Sequence, residues 1–107
     1  MFFDHAAIER EPAGAGATRK VLAHSENLML VEVTFEKDAD GAPHNHPHEQ
    51  SSYVISGDII FRLDGVEHEM HAGDSVYIPS SVPHCIKALT PAVVLDVFTP
   101  ERKDFLK

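Results

Sequence analysis

Asp58-Ile59-Ile60-Phe61-Arg62-Leu63-Asp64-Gly65-Val66-Glu67-His68-Glu69-Met70-His71 reads as two extended runs joined by an Asp-Gly dipeptide. Asp-Gly tolerates the left-handed backbone that a two-residue hairpin turn demands at both central positions, so this pair is the strongest hairpin signal in the chain. Outward from it, short runs rich in Val, Ile, Phe, Leu and Thr recur between turn residues, and no long helical periodicity follows residue 20. Strands are predicted over residues 28 to 35, 51 to 55, 58 to 63, 66 to 71, 75 to 78, 83 to 88 and 92 to 98. The breaks fall at Asp40-Gly41, Ser56-Gly57-Asp58, Asp64-Gly65, Gly73-Asp74, Pro79 and Pro91. The chain is therefore expected to be all-β, with two packed sheets or one squat barrel burying the alternating apolar residues and leaving few strand edges open.

A length of 107 residues fits one compact domain with a single apolar core. Within that one domain, residues 1–20 are expected to be an N-terminal arm, 28–98 the barrel and 100–107 a C-terminal tail. The Ala- and Gly-rich segment from Ala13 to Ala17 is expected outside the core, as an arm or an edge strand. Phe2 and Phe3 would be costly to leave in water, so they are expected to pack on this subunit or on a partner. After Pro100 a helical turn is expected, anchored by Phe105 and Leu106.

A formal net charge of -8 with only nine Lys plus Arg excludes a nucleic-acid surface or an anionic-membrane patch, either of which needs clustered positive charge. Anion recognition would fall to one of Arg10, Arg19, Arg62 and Arg102. The lone Cys85 cannot form an intrachain disulfide and is read as a core residue. The amino terminus lacks the basic and apolar regions of a secretory signal and there is no membrane-spanning apolar run, so a cytoplasmic location is expected.

Flanking the hairpin are His44-x-His46-x-x-x-Gln50, followed by Gly57, and Gly73-x-x-x-x-x-Pro79-x-x-x-x-His84. Residues 44, 46 and 50 share parity, so on a strand they would leave one face, and a ligand from a distant strand can close a coordination sphere. Three imidazoles and one amide oxygen can thus converge on a divalent metal. Imidazole suits Zn, Ni, Cu or Fe, and the neutral set leaves the ion its full charge for Lewis-acid work; Zn or Ni is preferred, with Fe or Mn also compatible. His48 has the same parity, yet Pro47 is expected to bend the strand and leave it at the rim. The alternative register, His46 with His48 and Ser52, is chemically poorer.

The two spaced motifs resemble those of the cupin superfamily over residues 44 to 88, with Gln50 where a carboxylate usually stands, Ser81 for a glycine and Ala88 for an asparagine. A closer resemblance runs through Asn27-Leu28-Met29-Leu30-Val31-Glu32-Val33, His46-Pro47-His48-Glu49-Gln50, and Leu95-Asp96-Val97-Phe98-Thr99-Pro100-x-Arg102-x-Asp104-Phe105-Leu106. In these the chain is similar to the small pectin-degradation cupins of the KdgF type. The resemblance implies an RmlC-like double-stranded β-helix, or jelly-roll barrel, that pairs into a homodimer. It also implies metal ligands at His44, His46, Gln50 and His84, a substrate-side trio of Asp96, Phe98 and Arg102, and a small-molecule substrate, a 4,5-unsaturated monouronate that is linearised.

Asp96 alternates with Val94 and Phe98 on an inward face, where a carboxylate needs a partner or a task. It reads either as a satisfied core residue or as the acid-base group beside the substrate. Phe98 reads as core or as an apolar wall of the pocket, and Arg102 as a solvated residue or as the group that holds a carboxylate. Two other functions fit the metal motif: a cupin dioxygenase, distinguished by iron content and oxygen consumption, and a non-catalytic sugar-acid or metal-binding protein.

Overall fold

The computed structural model describes residues 1–106, and Lys107, the end of the expected tail, lies outside the described residues. The strands are β1 (Glu11–Pro12), β2 (Ala17–His24), β3 (Met29–Phe35), β4 (Glu49–Ser56), β5 (Asp58–Leu63), β6 (Val66–His71), β7 (Ser75–Ile78), β8 (His84–Ala88) and β9 (Ala92–Thr99). They form a six-stranded sheet in the order β1-β2-β3-β9-β4-β7 and a three-stranded sheet in the order β6-β5-β8, with antiparallel pairing throughout. The two sheets close as the jelly-roll barrel expected from the sequence. No helix among the described residues is long and apolar enough to cross a membrane.

The β5–β6 hairpin is registered Leu63↔Val66, and its turn residues Asp64 and Gly65 both have positive φ, 50° and 80°, the backbone that Asp-Gly accepts at low cost. Inward residues of this hairpin, Ile59, Phe61 and Met70, meet Val54, Ile78, Ala92 and Val94 from the larger sheet in one buried cluster. Full burial of a side chain such as Phe61 contributes about 1.5–3 kcal/mol. A second cluster, Met29, Val31, Val33 and Phe98, covers the other half of the larger sheet. There the lid is the C-terminal segment, in which a 3-10 turn, Lys103–Phe105, lays Phe105 and Leu106 against the cluster as the sequence suggested.

Gly57 alone joins β4 to β5, carrying the chain from one sheet to the other with φ +86°. A Cβ there would crowd the backbone of Pro91 and lie 2.7 Å from Ala92 Cα, so glycine is required twice over.

The amino-terminal region differs from expectation. β2 is an interior strand of the large sheet, paired to β1 on one side and β3 on the other, and its first residue, Ala17, packs on the second cluster. All but one of its residues are half-buried, so neither face shows the alternation that marks a strand in sequence. Ahead of it, Phe3 rests against the His24 ring at 5.5 Å between centroids, while Met1 and Phe2 are fully exposed.

Candidate metal centre and substrate cavity

Between the two apolar clusters the inward face of the large sheet turns polar. Strand register sets Gln50 opposite Phe98 and Ser52 opposite Asp96, one step further along than the apolar pair Val54 and Val94. These four side chains therefore share the inward face of β4 and β9. Opposite them, His84 opens β8, paired to Leu63 of β5, and its ring stacks on Phe61 with 6.1 Å between centroids and 6° between planes.

His44 and His46 do not lie on β4, contrary to the shared-strand argument that predicted their convergence. They sit on an irregular segment that runs antiparallel to β8 and its preceding turn. Gly41 N donates to Ile86 O, His44 N to His84 O and His84 N to His44 O (3.0 and 2.9 Å), and Ser81 N to His46 O (2.8 Å). This pairing, rather than strand parity, aligns the rings. Ser81, which stands where the family motif has glycine, takes φ +66°, so the turn keeps the glycine geometry with a serine in it.

One donor nitrogen from each of His44, His46 and His84 can be chosen so that all lie within 4.8 Å of one another. The hydrogen bonds favour the Nε2 atoms for His46 and His84. Nδ1 of His46 faces the carbonyl of His48 at 3.1 Å, and Nδ1 of His84 faces that of Val82 at 2.9 Å. A carbonyl only accepts, so each Nδ1 carries the proton and each neutral ring turns its lone pair inward on Nε2. Burial lowers the pKa of both rings, His84 to about 4, which keeps them neutral and able to ligate at pH 7.

The donor set fits a cation. Nε2 of His84 is buried with no hydrogen-bond partner among the described residues, and Nε2 of His46 faces Oε1 of Gln50 at 2.9 Å, lone pair to lone pair. A positive ion between such groups satisfies all of them. His44 is the most exposed of the three, and His48 is half-buried with its ring 5.4 Å from that of His46.

Asp96 and Arg102 line the same cavity, of about 470 Å³, together with His44, Gln50, His84 and Phe98. Asp96 touches the cavity yet is otherwise surrounded by protein, and burial pushes its carboxyl up to about 6 despite hydrogen bonds from Ser52 and Gln50 and the Arg102 charge. Arg102 is bound by Asp104 through Nε and Nη2 (3.0 and 2.8 Å) and lies over the rings of Phe98 (5.1 Å) and Phe105 (4.2 Å). The Arg102 side chain is only 13% exposed, so the solvated alternative gives way to a guanidinium held against the cavity wall. Phe98 is buried, packs edge-on against His46 and reaches the cavity, so it serves both as core and as wall. Cys85 is buried on the opposite face of β8, its Sγ 4.0 Å from Arg62.

Two residues of the site were not singled out from the sequence: Ser52, and Arg19, which stood only as one of four arginines available for anion recognition. Ser52 shares the parity of Gln50, a signal that was legible, but entered only through the poorer register. Arg19 lines the cavity, over Phe105 at 3.8 Å and bonded to Glu11 at 2.7 Å, and nothing local in its sequence sets it apart from the other arginines.

The cupin domain family matches residues 31–98. Pectin degradation protein KdgF of Dickeya dadantii (strain 3937) is 36% identical over 98 residues, covering 90% of this chain and 89% of that protein. Among solved structures, an RmlC-like cupin from Shewanella frigidimarina NCIMB 400 superposes with a TM-score of 0.93 at 37% identity, covering 98% of this chain and 95% of that one. KdgF from Halomonas sp. gives a TM-score of 0.93 at 35% identity, covering 99% and 98%.

Proposed function

The chain belongs to the cupin domain family, and from that premise we propose that it is a pectin-degradation enzyme of the KdgF kind that linearises 4,5-unsaturated monouronates. The observation that carries the reading is a carboxyl poised near neutrality, Asp96, in one cavity with a three-histidine cluster and a guanidinium. His44, His46, Gln50 and His84 would hold a divalent ion, with Zn or Ni preferred and Fe or Mn compatible. Such an ion, when bound, supplies a Lewis acid toward substrate oxygens.

The remaining chemistry belongs to the chain. Asp96, with a pKa of about 6, is close enough to physiological pH both to take a proton from the anomeric hydroxyl as the ring opens and to deliver one to the ring carbon as the enol becomes a ketone. Arg102, braced by Asp104 and by two aromatic faces, would bind the substrate carboxylate through donors that Asp104 leaves unused. Phe98 gives the sugar an apolar wall and keeps the His46 ring in place. The cavity volume falls within the roughly 300–1,000 Å³ usual for small-molecule sites.

Metal-stripped protein reloaded in turn with zinc, nickel, iron and manganese tests the reading on unsaturated galacturonate. Loss of the absorbance of the conjugated double bond is expected with at least one metal. No loss with any of them refutes linearisation, and oxygen consumption by the iron form would put a dioxygenase in its place. The reading extends to a cytoplasmic homodimer in which the exposed Met1 and Phe2 meet a partner, and removal of residues 1–12 is expected to raise the monomer fraction in light scattering.

A further inference from the structure

Ser52 is 2% exposed and bridges Gln50 and Asp96: Gln50 Nε2 lies 2.9 Å from its Oγ, and Oγ lies 2.6 Å from Asp96 Oδ1. A serine hydroxyl has one proton to give and two lone pairs to offer, whereas an ionised carboxylate only accepts. The proton therefore goes to Asp96, and Gln50 is left with a lone pair. Only the NH2 end of the carboxamide can use it, and that same end faces the Asp96 carboxylate, which turns Oε1 toward His46 Nε2 at 2.9 Å. The two ends of a carboxamide are nearly the same size, so packing distinguishes them poorly. A flipped amide would aim N–H donors at the place where the histidine lone pairs converge.

We propose that Ser52 is a positioning residue: by committing its one proton to Asp96 it holds Gln50 with the oxygen toward the histidine cluster. This rests on the reading of His44, His46, Gln50 and His84 as metal ligands, and it gives a reason for an amide at position 50. A carboxylate there would compete with Asp96 for one hydroxyl proton and set a second negative charge beside the first. A carboxylate would also need no such hold, because its two oxygens are equivalent.

The affinity for zinc, measured by competition with a chromogenic chelator at mildly alkaline pH, separates these roles in wild type, Ser52→Ala, Gln50→Glu, the double variant and Gln50→Ala. Ser52→Ala is expected to weaken zinc about tenfold, the lower end of what removing a group that supports a metal ligand costs. In the Gln50→Glu background the same change is expected to cost less than about twofold, because no amide is left to orient. Unchanged affinity in Ser52→Ala overturns the proposal, and so does an equal loss in both backgrounds, which would mean general loosening of the site. Wild-type protein that takes up no zinc, or Gln50→Ala protein that binds as well as wild type, overturns the ligand assignment and the proposal with it. Protein that needs Gln50 but not Ser52 overturns the proposal alone.

Discussion

Two groupings of histidine and carboxylate in this protein, one on the exposed face of the hairpin and one in the cavity, run in opposite directions. On the exposed face of the β5–β6 hairpin, His71 bonds Asp58 at 2.6 Å and approaches Glu69 at 3.2 Å, and these partners, Asp58 first, raise its pKa. In the cavity, His84 and Asp96 are each shifted toward the neutral form, His84 down to about 4 and Asp96 up to about 6, both mainly by burial. Water lets the hairpin group keep its charges. Burial keeps the cavity rings neutral with their lone pairs free and brings the titration of the carboxyl close to physiological pH, where it exchanges a proton readily. Exposure, rather than residue type, separates an ornamental ion pair from a reactive site.

The sharpest attack on that contrast is Asp96→Asn. Turnover of the uronate is expected to fall roughly a hundredfold to ten-thousandfold, the range of general acid-base catalysis. The folded-state pKa of about 6 lies above the ordinary 3.8, so the contribution of Asp96 to stability is fullest below the ordinary value and fades as pH rises through about 6. At mildly alkaline pH the buried charge is thus a liability, and the Asn variant of the metal-free protein is expected to melt no lower than wild type. A clear drop in its melting temperature would make Asp96 a structural carboxylate.

Next in size is a paired deletion. His84→Ala is expected to weaken zinc binding by at least about a hundredfold, beyond what loss of a supporting group usually costs, while His71→Ala leaves zinc affinity unchanged. Equal effects in a chelator competition would erase the distinction between the two groupings.

A pH series on metal-free protein sharpens it further. His84 and His46 have folded pKa values below 6.5, so each opposes folding progressively as pH falls from 6.5, for His84 down to about 4. His71, raised, contributes its stability below 6.5 and loses it as pH rises through its folded value, and exposure keeps that contribution small. Asp96 gains stability on acidification over part of the same window, so the scan belongs in the Asp96→Asn background. There the melting temperature is expected to fall with pH, and His84→Phe to flatten the fall. A flat profile before that substitution would mean that the cavity histidines are as well solvated as His71.

The smallest effect is expected at Ser81. Replacing it with glycine relieves a left-handed backbone and is expected to stabilise the protein by about 0.5–1 kcal/mol in urea titration, less whatever the freer unfolded chain takes back. Destabilisation would show that the serine hydroxyl, 3.4 Å from Ser80 Oγ, is needed in the turn.

The hairpin half of the molecule was legible from sequence because its information is local. Asp64-Gly65 needs no distant partner to declare its turn, and β5, β6 and β7 begin and end where the alternation does. The candidate metal ligands were legible for the same reason, as a spacing. What sequence did not carry was the means of bringing them together. His44 and His46 are aligned by backbone pairing with the segment around His84, and the partner that orients Gln50 is a serine whose own partner, Asp96, is 44 positions away. β2 stayed hidden because half-burial on both of its faces erased the alternation.

Gly57 makes the molecule intolerant of one kind of change. With a single residue between β4 and β5, the facing of every side chain on the hairpin is tied to the facing of Val54 and its neighbours. A one-codon insertion at this joint would leave each strand's composition nearly intact but turn Ile59, Phe61 and Leu63 to water and send Arg62 into the apolar cluster. Across homologous genes, the expectation is that the loops on either side of the joint vary in length while the joint itself keeps its count.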